Sequence, residues 1–426
     1  MDLKNIRKVY FIGIGGIGMS AVARMLLGEG KQVLGSDRSP SLVTEELEKL
    51  GAKIFYEQKA ENITADIDLV IYTIAMPSDS PELVKARELG IECKTYPEML
   101  GIISADKYTI AIAGTHGKTT TTAMIAEIMI EAGLDPTVIV GSLLKPIGPE
   151  DSSLKASQGE SSGTNFIAGQ SNYLVVEACE YQRSFLNLHP TLAIVTNIDA
   201  DHLDYYKDLD DIKNAFAQFL SQSKNQIVDY QRYLPKVPEL LVPGEHNRQN
   251  AAAALAVADF LKIDLVVAIN SLKKFTGTWR RFEYKGKTKD EALVYDDYAH
   301  HPTEIKASIL GAREFMKKRG LKGKLIVAFQ PHLYSRTKLL KDDFAEALAG
   351  ADQVFLLPIY AARESLDPEI SSELLADFIR TRGGVVDNAR DLFEASKMLL
   401  NQARTGDLVI TMGAGDISQL APNLLE

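Results

Sequence analysis

The chain has 426 residues, 46% of them hydrophobic, which suffices for packed cores and, at roughly 100–200 residues per domain, for two to four domains. A net charge of −10 and a pI near 5.4 argue against nucleic acid or an anionic membrane as the main partner, while leaving room for local cationic pockets. Two cysteines, Cys93 and Cys179, rule out a disulfide framework or a four-thiolate metal site. No leader-like apolar segment follows residues 1–9 and no apolar run nears a membrane span, so the cytoplasm is the expected compartment.

In chain order, Lys8 to Ile12 reads as a strand that enters Gly13-Ile-Gly15-Gly16-Ile17-Gly18, with an apolar helix from Met19 to about Glu29. A second strand from Gln32 ends at Asp37, about twenty residues past the glycines, where an acid commonly meets a ribose hydroxyl. The alternation continues through strands at 52–55, 68–74 and 91–94 and a helix at 81–90. It leaves Thr73, Ala75 and Pro77 at a strand's carboxyl end, where doubly wound sheets bind ligands. A helix from Pro97 and a short connection to Asp106 close a first domain, residues 1–106.

Tyr108 to Ala113 then reads as a buried parallel strand running through Gly114-Thr115-His116-Gly117-Lys118-Thr119-Thr120 into an apolar helix. Backbone N–H groups of such a turn cradle phosphate oxygens at a helix N-terminus. Lys118 then reaches the β- and γ-phosphates and the Thr119 hydroxyl takes a place on Mg²⁺. The turn is shorter than the common phosphate loop, because Ile112 stands where a first glycine is usual. Residues 145–172, rich in Ser, Gly and Asp, read as loops and a hairpin. Two further apolar strands end in chemistry: Leu174-Val-Val-Glu177-Ala-Cys179-Glu180, and Leu192 through Thr196-Asn197-Ile-Asp199-Ala-Asp201-His202. Both ends are expected beside the phosphate loop, where Glu177 and His202 would hold a magnesium ion; the alternative is a solvated acid and a hydrogen-bonded histidine. After a helix at 210–222 and a proline-rich irregular segment, an Ala-rich helix starts near Gly244. Asn247 and Asn250 share one face of its first turn, placed either to read a nucleobase edge or to bond the helix end. This second domain spans residues 107–276.

The third domain, residues 277–426, opens on Gly277-Thr-Trp-Arg280-Arg281-Phe282. Its strand ends are again polar: Asp296-Asp297-Tyr298-Ala-His300-His301-Pro-Thr-Glu304, Gln330-Pro-His332-Leu333-Tyr-Ser-Arg336, Pro358 to Glu364, and Gly413-Ala-Gly-Asp416. The expected architecture is three α/β domains, a Rossmann-like first, a phosphate-loop ATPase-like parallel sheet second and a Rossmann-like third, with strand ends turned toward a shared cleft.

These motifs, taken together and in order, resemble the ATP-dependent Mur ligases over nearly the whole chain. The resemblance rests on the Gly13 turn, Gly114-Thr-His-Gly-Lys-Thr, Glu177-Ala-Cys-Glu-Tyr, Thr196-Asn-Ile-Asp-Ala-Asp-His, His246-Asn-Arg-Gln-Asn, Arg280-Arg-Phe, Asp296-Asp-Tyr-Ala-His-His-Pro and Phe329-Gln-Pro-His. It implies an ADP-forming ligase that uses ATP with Mg²⁺ (or Mn²⁺) to join the muramoyl carboxylate of UDP-N-acetylmuramate to L-alanine through an acyl phosphate. It places the UDP-sugar on Gly15, Gly16, Ile17, Gly18, Asp37 and Thr73. ATP falls on Gly114 to Thr120, Asn247, Asn250, Arg281 and Asp297, and the metal on Thr119, Glu177 and His202. Alanine falls near Tyr298, His301 and Arg336, with Lys118, Glu177, His202, His301 and Arg336 as the catalytic set. The implied partners are these small molecules alone, with the chain a monomer or weak homodimer.

Three departures from the family stand out. Phe216 occupies about the position of a carbamylated lysine in several siblings, so no carbamate is carried over. Residues 220–244 are fewer than in relatives, implying a trimmed middle domain. Leu333 stands where relatives place an arginine, leaving Arg336 as the main anchor for the alanine carboxylate. A ligase that attaches a recycled tripeptide to the same nucleotide sugar, a nicotinamide-dependent dehydrogenase and an inactive nucleotide-binding regulator are the rival readings. The dehydrogenase leaves the phosphate loop unexplained, and the intact Lys118, Thr119, Glu177 and His202 count against the regulator.

Overall fold

A computed structural model describes residues 1–144, 163–362 and 364–425. Arg363 and most of the stretch expected to form loops and a hairpin, 145–162, lie outside the described residues.

Three sheets carry the fold. The first is built from β1 (Lys8–Ile12), β2 (Gln32–Ser36), β3 (Lys53–Phe55), β4 (Leu69–Tyr72) and β5 (Glu92–Thr95), all parallel, in the order β3-β2-β1-β4-β5. The order reverses at β1, so the carboxyl ends of β1 and β4 open a crevice flanked by Gly13 and Thr73. The crossover helices are α1 (Ile17–Gly28), α2 (Leu42–Lys49), α3 (Pro81–Glu88) and α4 (Tyr96–Ala105). α2 and α4 start at capping boxes, Ser41 with Thr44 and Thr95 with Glu98, which satisfy the first free N–H groups and fix where each helix begins. A fully buried carboxylate, Glu82, sits under this sheet and accepts hydrogen bonds from Tyr10 (2.6 Å), Ser36 (2.6 Å) and Asn62 (2.8 Å).

The second sheet has β6 (Tyr108–Ala113), β7 (Thr137–Leu144), β8 (Thr164–Ile167), β9 (Tyr173–Glu177), β10 (Leu192–Val195) and β11 (Asn225–Ile227), in the order β11-β10-β6-β9-β7-β8. It is parallel except for β8, which pairs antiparallel with β7. β6 lies at its centre with every residue from Thr109 to Ala113 buried, as a strand covered on both faces must be. Helices α5 (Lys118–Glu131) and α6 (Leu209–Ser221) pack against it. β11 and a 3₁₀ turn at Gln231–Lys236 order part of the segment expected to be irregular.

After α7 (Glu245–Phe260) and α8 (Leu265–Lys274) comes the third sheet: β12 (Glu283–Lys287), β13 (Leu293–Asp297), β14 (Leu325–Phe329), β15 (Gln353–Leu356), β16 (Val386–Asn388) and β17 (Leu408–Met412). Its order is β12-β13-β17-β14-β15-β16, with only β12 antiparallel. α9 (Pro302–Arg319), α10 (Tyr334–Leu339), α11 (Lys341–Leu348), α12 (Ser372–Thr381) and α13 (Leu392–Gln402) flank it.

The chain divides into two compact units, Met1–Pro238 with Asn250–Leu272, and Glu239–Gln249 with Lys273–Glu426. In the first unit the two sheets share one apolar cluster, which runs from Val9 and Phe11 through α1 to Ile139, Val176, Phe185 and Phe216. In the second, separate clusters cover the two faces of the third sheet.

Candidate active site

The phosphate loop occupies the end of β6, between the neighbouring strands β9 and β10. Strand register sets Ile112 opposite Glu177 and Ala113 opposite Val195, so the Glu177 and Thr196 motifs emerge on either side of Gly114. Gly117 is the N-cap of α5 with φ +83°, and a Cβ there would stand 2.3 Å from the Asn250 Oδ1. Only glycine allows both the left-handed backbone and the close approach of that amide.

Lys118 opens α5, and its ammonium donates to the carbonyls of Gly114 (2.6 Å) and Thr115 (3.0 Å) and to Glu180 Oε1 (3.1 Å), with Glu180 Oε2 at ion-pair distance (2.9 Å). Burial works against the Lys118 charge, but the Glu180, Cys179 and Glu177 side chains together outweigh it and hold the pKa above the ordinary lysine value. Glu180 is itself 2% exposed. Burial would raise its pKa, yet the Lys118 ammonium and the His202 ring, at 3.6 Å, pull it below the usual carboxylate range.

Thr119 donates to both oxygens of Glu177 (3.1 and 3.0 Å), and the Gly141 N–H donates to the same carboxylate at 2.8 Å. His116 is fixed through its backbone, whose N–H donates to Asn197 Oδ1 (2.9 Å) and whose carbonyl accepts from Asn197 (2.9 Å) and Thr196 (2.6 Å). Its ring stands 3.2 Å from Asp199, and the Thr115 hydroxyl accepts from the Asp199 N–H at 2.9 Å. Thr120 is buried in the first turn of α5. His202 adopts φ +55° and packs on the Tyr181 ring at 4.8 Å. The expected gathering of strand ends around the loop is thus present, with His202 placed beside Glu180. Glu180 and Asn197 complete the arrangement and are absent from the site set read from sequence. Their signal is position: each follows an apolar strand by a few residues.

In the first sheet's crevice Asp37 follows the end of β2 and is partly exposed. Its carboxylate turns back to accept from the Gly15 N–H (2.7 Å) and the Arg38 N–H (2.7 Å), as an acid does beside the free amides leading into a helix. Thr73 lies against Gly13, where a Cβ would meet its methyl at 3.1 Å. Gly16 is the N-cap of α1, followed by Ile17 and Gly18 in its first turn.

Within the second unit, Asp297 ends β13 and accepts from Phe282 N–H (3.1 Å), Ala299 N–H (2.8 Å) and the Ser308 hydroxyl (3.0 Å). Burial pushes its pKa up to about 6, against the opposing pull of Arg281. The Arg280 and Arg281 guanidinium groups lie 5.3 and 5.1 Å from the centre of the Tyr298 ring. Arg280 is also locked to Asp296 (2.6 Å) and the Gly413 carbonyl (2.6 Å). His301 is the N-cap of α9, accepting from the Thr303 N–H at 3.3 Å. Arg336 is half-buried on α10, which begins after Leu333 at φ +72°. Tyr298, His300, His332 and Tyr360 form a ring ladder with centroid spacings of 5.2, 6.1 and 5.6 Å. Asn247 donates to the Pro243 carbonyl at 2.7 Å, which is the helix-end bond its spacing allowed. The two asparagines fall in different compact units, Asn247 with the second and Asn250 with the first.

A phosphate loop in a parallel sheet, with a carboxylate paired to the loop threonine, defines a nucleoside-triphosphate-using α/β enzyme. Three family descriptions match the chain in succession: the Mur ligase family catalytic domain over residues 8–108, the Mur ligase middle domain over 112–232 and the Mur ligase glutamate ligase domain over 280–415. The chain belongs to the Mur ligase family and is an ATP-dependent, ADP-forming ligase. It is 41% identical to the UDP-N-acetylmuramate--L-alanine ligase of Clostridium kluyveri over 467 aligned positions, covering 98% of this chain and 97% of that one. The corresponding enzyme of Clostridium novyi is 40% identical, with 99% and 98% covered. The alignment to the first is longer than this chain, so that relative carries segments missing here. Among solved structures, the UDP-N-acetylmuramate-alanine ligase of Thermotoga maritima superposes with a TM-score of 0.79 at 29% identity, covering 98% of each chain. A murein peptide ligase of Psychrobacter arcticus shares the fold, with a TM-score of 0.67 at 24% identity over 98% of each chain.

Proposed function

We propose that this protein joins L-alanine to the muramoyl carboxylate of UDP-N-acetylmuramate, with ATP converted to ADP and phosphate. The observation that carries this reading is the match along nearly the full length to alanine ligases, on a chain whose phosphate loop is intact. Residues 1–106 bind the sugar nucleotide, 107–276 bind ATP, and 277–426 bind the amino acid. The cytoplasm, where ATP and this precursor are made, is the compartment; among the described residues no helix is long and apolar enough to cross a membrane.

The side chains divide the work. Lys118 and the N–H groups entering α5 neutralise the transferring phosphoryl group, a positive cradle assembled before the charge develops. Thr119 and Glu177 set hard oxygen donors side by side, the small protein contribution that Mg²⁺ takes while keeping waters and phosphate oxygens. Bound there, the ion would spread the negative charge of the phosphates. Glu180 keeps Lys118 charged and aimed at the loop. Asn250 borders the loop at Gly117; the family resemblance alone assigns Asn247, Arg281 and Asp297 to ATP. Arg336 offers a planar fork to the alanine carboxylate, with Tyr298 and His301 beside it.

The test is amino-acid-dependent ADP release with UDP-N-acetylmuramate over a panel of amino acids and the murein tripeptide. L-Alanine should give the highest kcat/KM. Preference for the tripeptide, or no turnover with any amine, would overturn the reading.

A further inference from the structure

The sequence reading assigns nothing to Tyr96, the first residue of α4. Its ring lies on Gly18: a Cβ at that glycine would stand 2.4 Å from the ring Cζ and 2.7 Å from the hydroxyl oxygen. The third glycine of the first turn thus leaves the space that a tyrosine ring fills, whatever the turn also does for phosphate. A capping box fixes the start of the helix that carries the ring, with the Thr95 N–H donating to Glu98 at 2.7 Å. The side chain is half-buried, and among the described residues its hydroxyl makes no hydrogen bond. A phenol held this firmly on rigid backbone with its polar end unused is a preorganised donor.

Its surroundings say what it faces. Burial, and then the Glu177 and Cys179 side chains at the end of β9, push the phenol pKa up, so the group remains a protonated donor at any working pH. Tyr96 thus belongs to both neighbourhoods of the first unit: it touches the helix that carries the glycine turn and feels the carboxylate paired with Thr119.

We infer that Tyr96 donates its hydroxyl hydrogen bond to the muramoyl part of the sugar nucleotide, the portion lying between the pyrophosphate and the carboxylate that is activated. The inference rests on the proposed function and adds a specificity-determining residue to it. It separates recognition of the nucleotide, which the glycine turn serves, from recognition of the sugar acid, which Tyr96 serves.

The experiment compares wild type and Tyr96→Phe as full-length protein, with calorimetric Kd values for UDP-N-acetylmuramate, UDP and ATP, steady-state kinetics and Tm. Loss of one neutral hydrogen bond should weaken UDP-N-acetylmuramate binding roughly three- to tenfold. UDP and ATP should bind within about twofold of wild type, Tm should move little because no bond inside the protein is lost, and the KM for the sugar nucleotide should rise more than kcat falls. If UDP weakens as much as UDP-N-acetylmuramate, the hydroxyl serves the nucleotide and the inference fails. Equal binding of all three ligands by both proteins also overturns it, while leaving the ligase reading intact. A wild type that binds UDP-N-acetylmuramate no better than UDP and shows no alanine-dependent turnover overturns the ligase reading, and this role falls with it.

Discussion

Lys118 and Glu180 are 62 residues apart in sequence and form a nearly closed ion pair at the phosphate loop. Removing one partner of such a pair leaves a charge stranded at low dielectric, which typically costs roughly 3–5 kcal/mol. Lys118→Ala should therefore lose turnover by roughly 10²–10³-fold and stability as well. Adding Glu180→Gln should restore part of the stability without restoring turnover; urea unfolding and ADP release read the two separately, and a double variant no more stable than the single one would refute the pairing. The linkage has a sign. Glu180, with its pKa depressed, stabilises the fold above the ordinary carboxylate range and loses that contribution as pH falls through its folded value. Asp297 runs the other way. Its folded pKa of about 6 exceeds the 3.8 of an ordinary aspartate, so its contribution is fully present below pH 3.8 and is lost as pH rises through about 6, on the order of 3 kcal/mol. Asp297→Asn forfeits acceptor bonds at every pH. Its Tm relative to wild type should nonetheless improve between pH 4.5 and pH 7.5, and a difference that stays flat or worsens over that range would contradict an elevated pKa.

At the scale of elements, the strands that bear chemistry were legible because each is a local pattern, an apolar run that ends in Gly, Asp, Glu or His. β6 with its loop, β9, β10 and β13 all follow that rule. Edge strands β11, β12 and β16 were not legible: three to five residues of mixed polarity, such as Glu283–Lys287, acquire strand geometry from their neighbours in the sheet. Phe216 was legible as a departure, and the structure shows why a charged group does not suit this site, since its ring packs edge-on against Phe185 at 5.2 Å in the core. The Lys118–Glu180 pair and Tyr96 on Gly18 were illegible, because they depend on how distant segments meet. Leu333, at the start of α10, is a strained case. It holds φ +72° and ψ +132° while its side chain is 5% exposed, so backbone strain is offset by packing and by its N–H bond to the Tyr360 carbonyl at 2.9 Å. Leu333→Ala loses the packing and keeps the strain, whereas Leu333→Gly loses the packing and relieves it. The glycine variant should be more stable than the alanine variant by about 1 kcal/mol in denaturant unfolding, reversing the usual order for a buried leucine; the ordinary order would mean the turn is not strained.

For the whole molecule, three sheets do not mean three independently stable bodies. The first two share a single apolar cluster in which β1 residues Val9 and Phe11 and β6 residues Ala111 and Ala113 all belong to one core. Asn165 of β8 adds a buried polar tie, its amide donating to the Ser20 hydroxyl of α1 at 2.7 Å and to the Ile17 carbonyl. Pulling α1 from β8 would expose apolar surface and strand that amide, so the first sheet has no cheap way to open alone. The third sheet instead has its own clusters and lies in the other compact unit. Two cooperative unfolding steps are therefore expected, with the first and second sheets melting together in one of them. A ligand that binds only one unit raises the stability of that unit by RT ln(1 + [L]/Kd), about 2.7 kcal/mol at a hundredfold excess over Kd. For a body of this size that is a shift of roughly 5 °C or more. Saturating UDP-N-acetylmuramate should raise the step that contains both N-terminal sheets. Hydrogen exchange should show amides of β1 and β6 gaining protection by the same free energy, although the ligand's glycine turn lies only beside β1. Protection confined to β1, or a calorimetric trace in which the first sheet melts ahead of the second, would show that the shared core does not couple them.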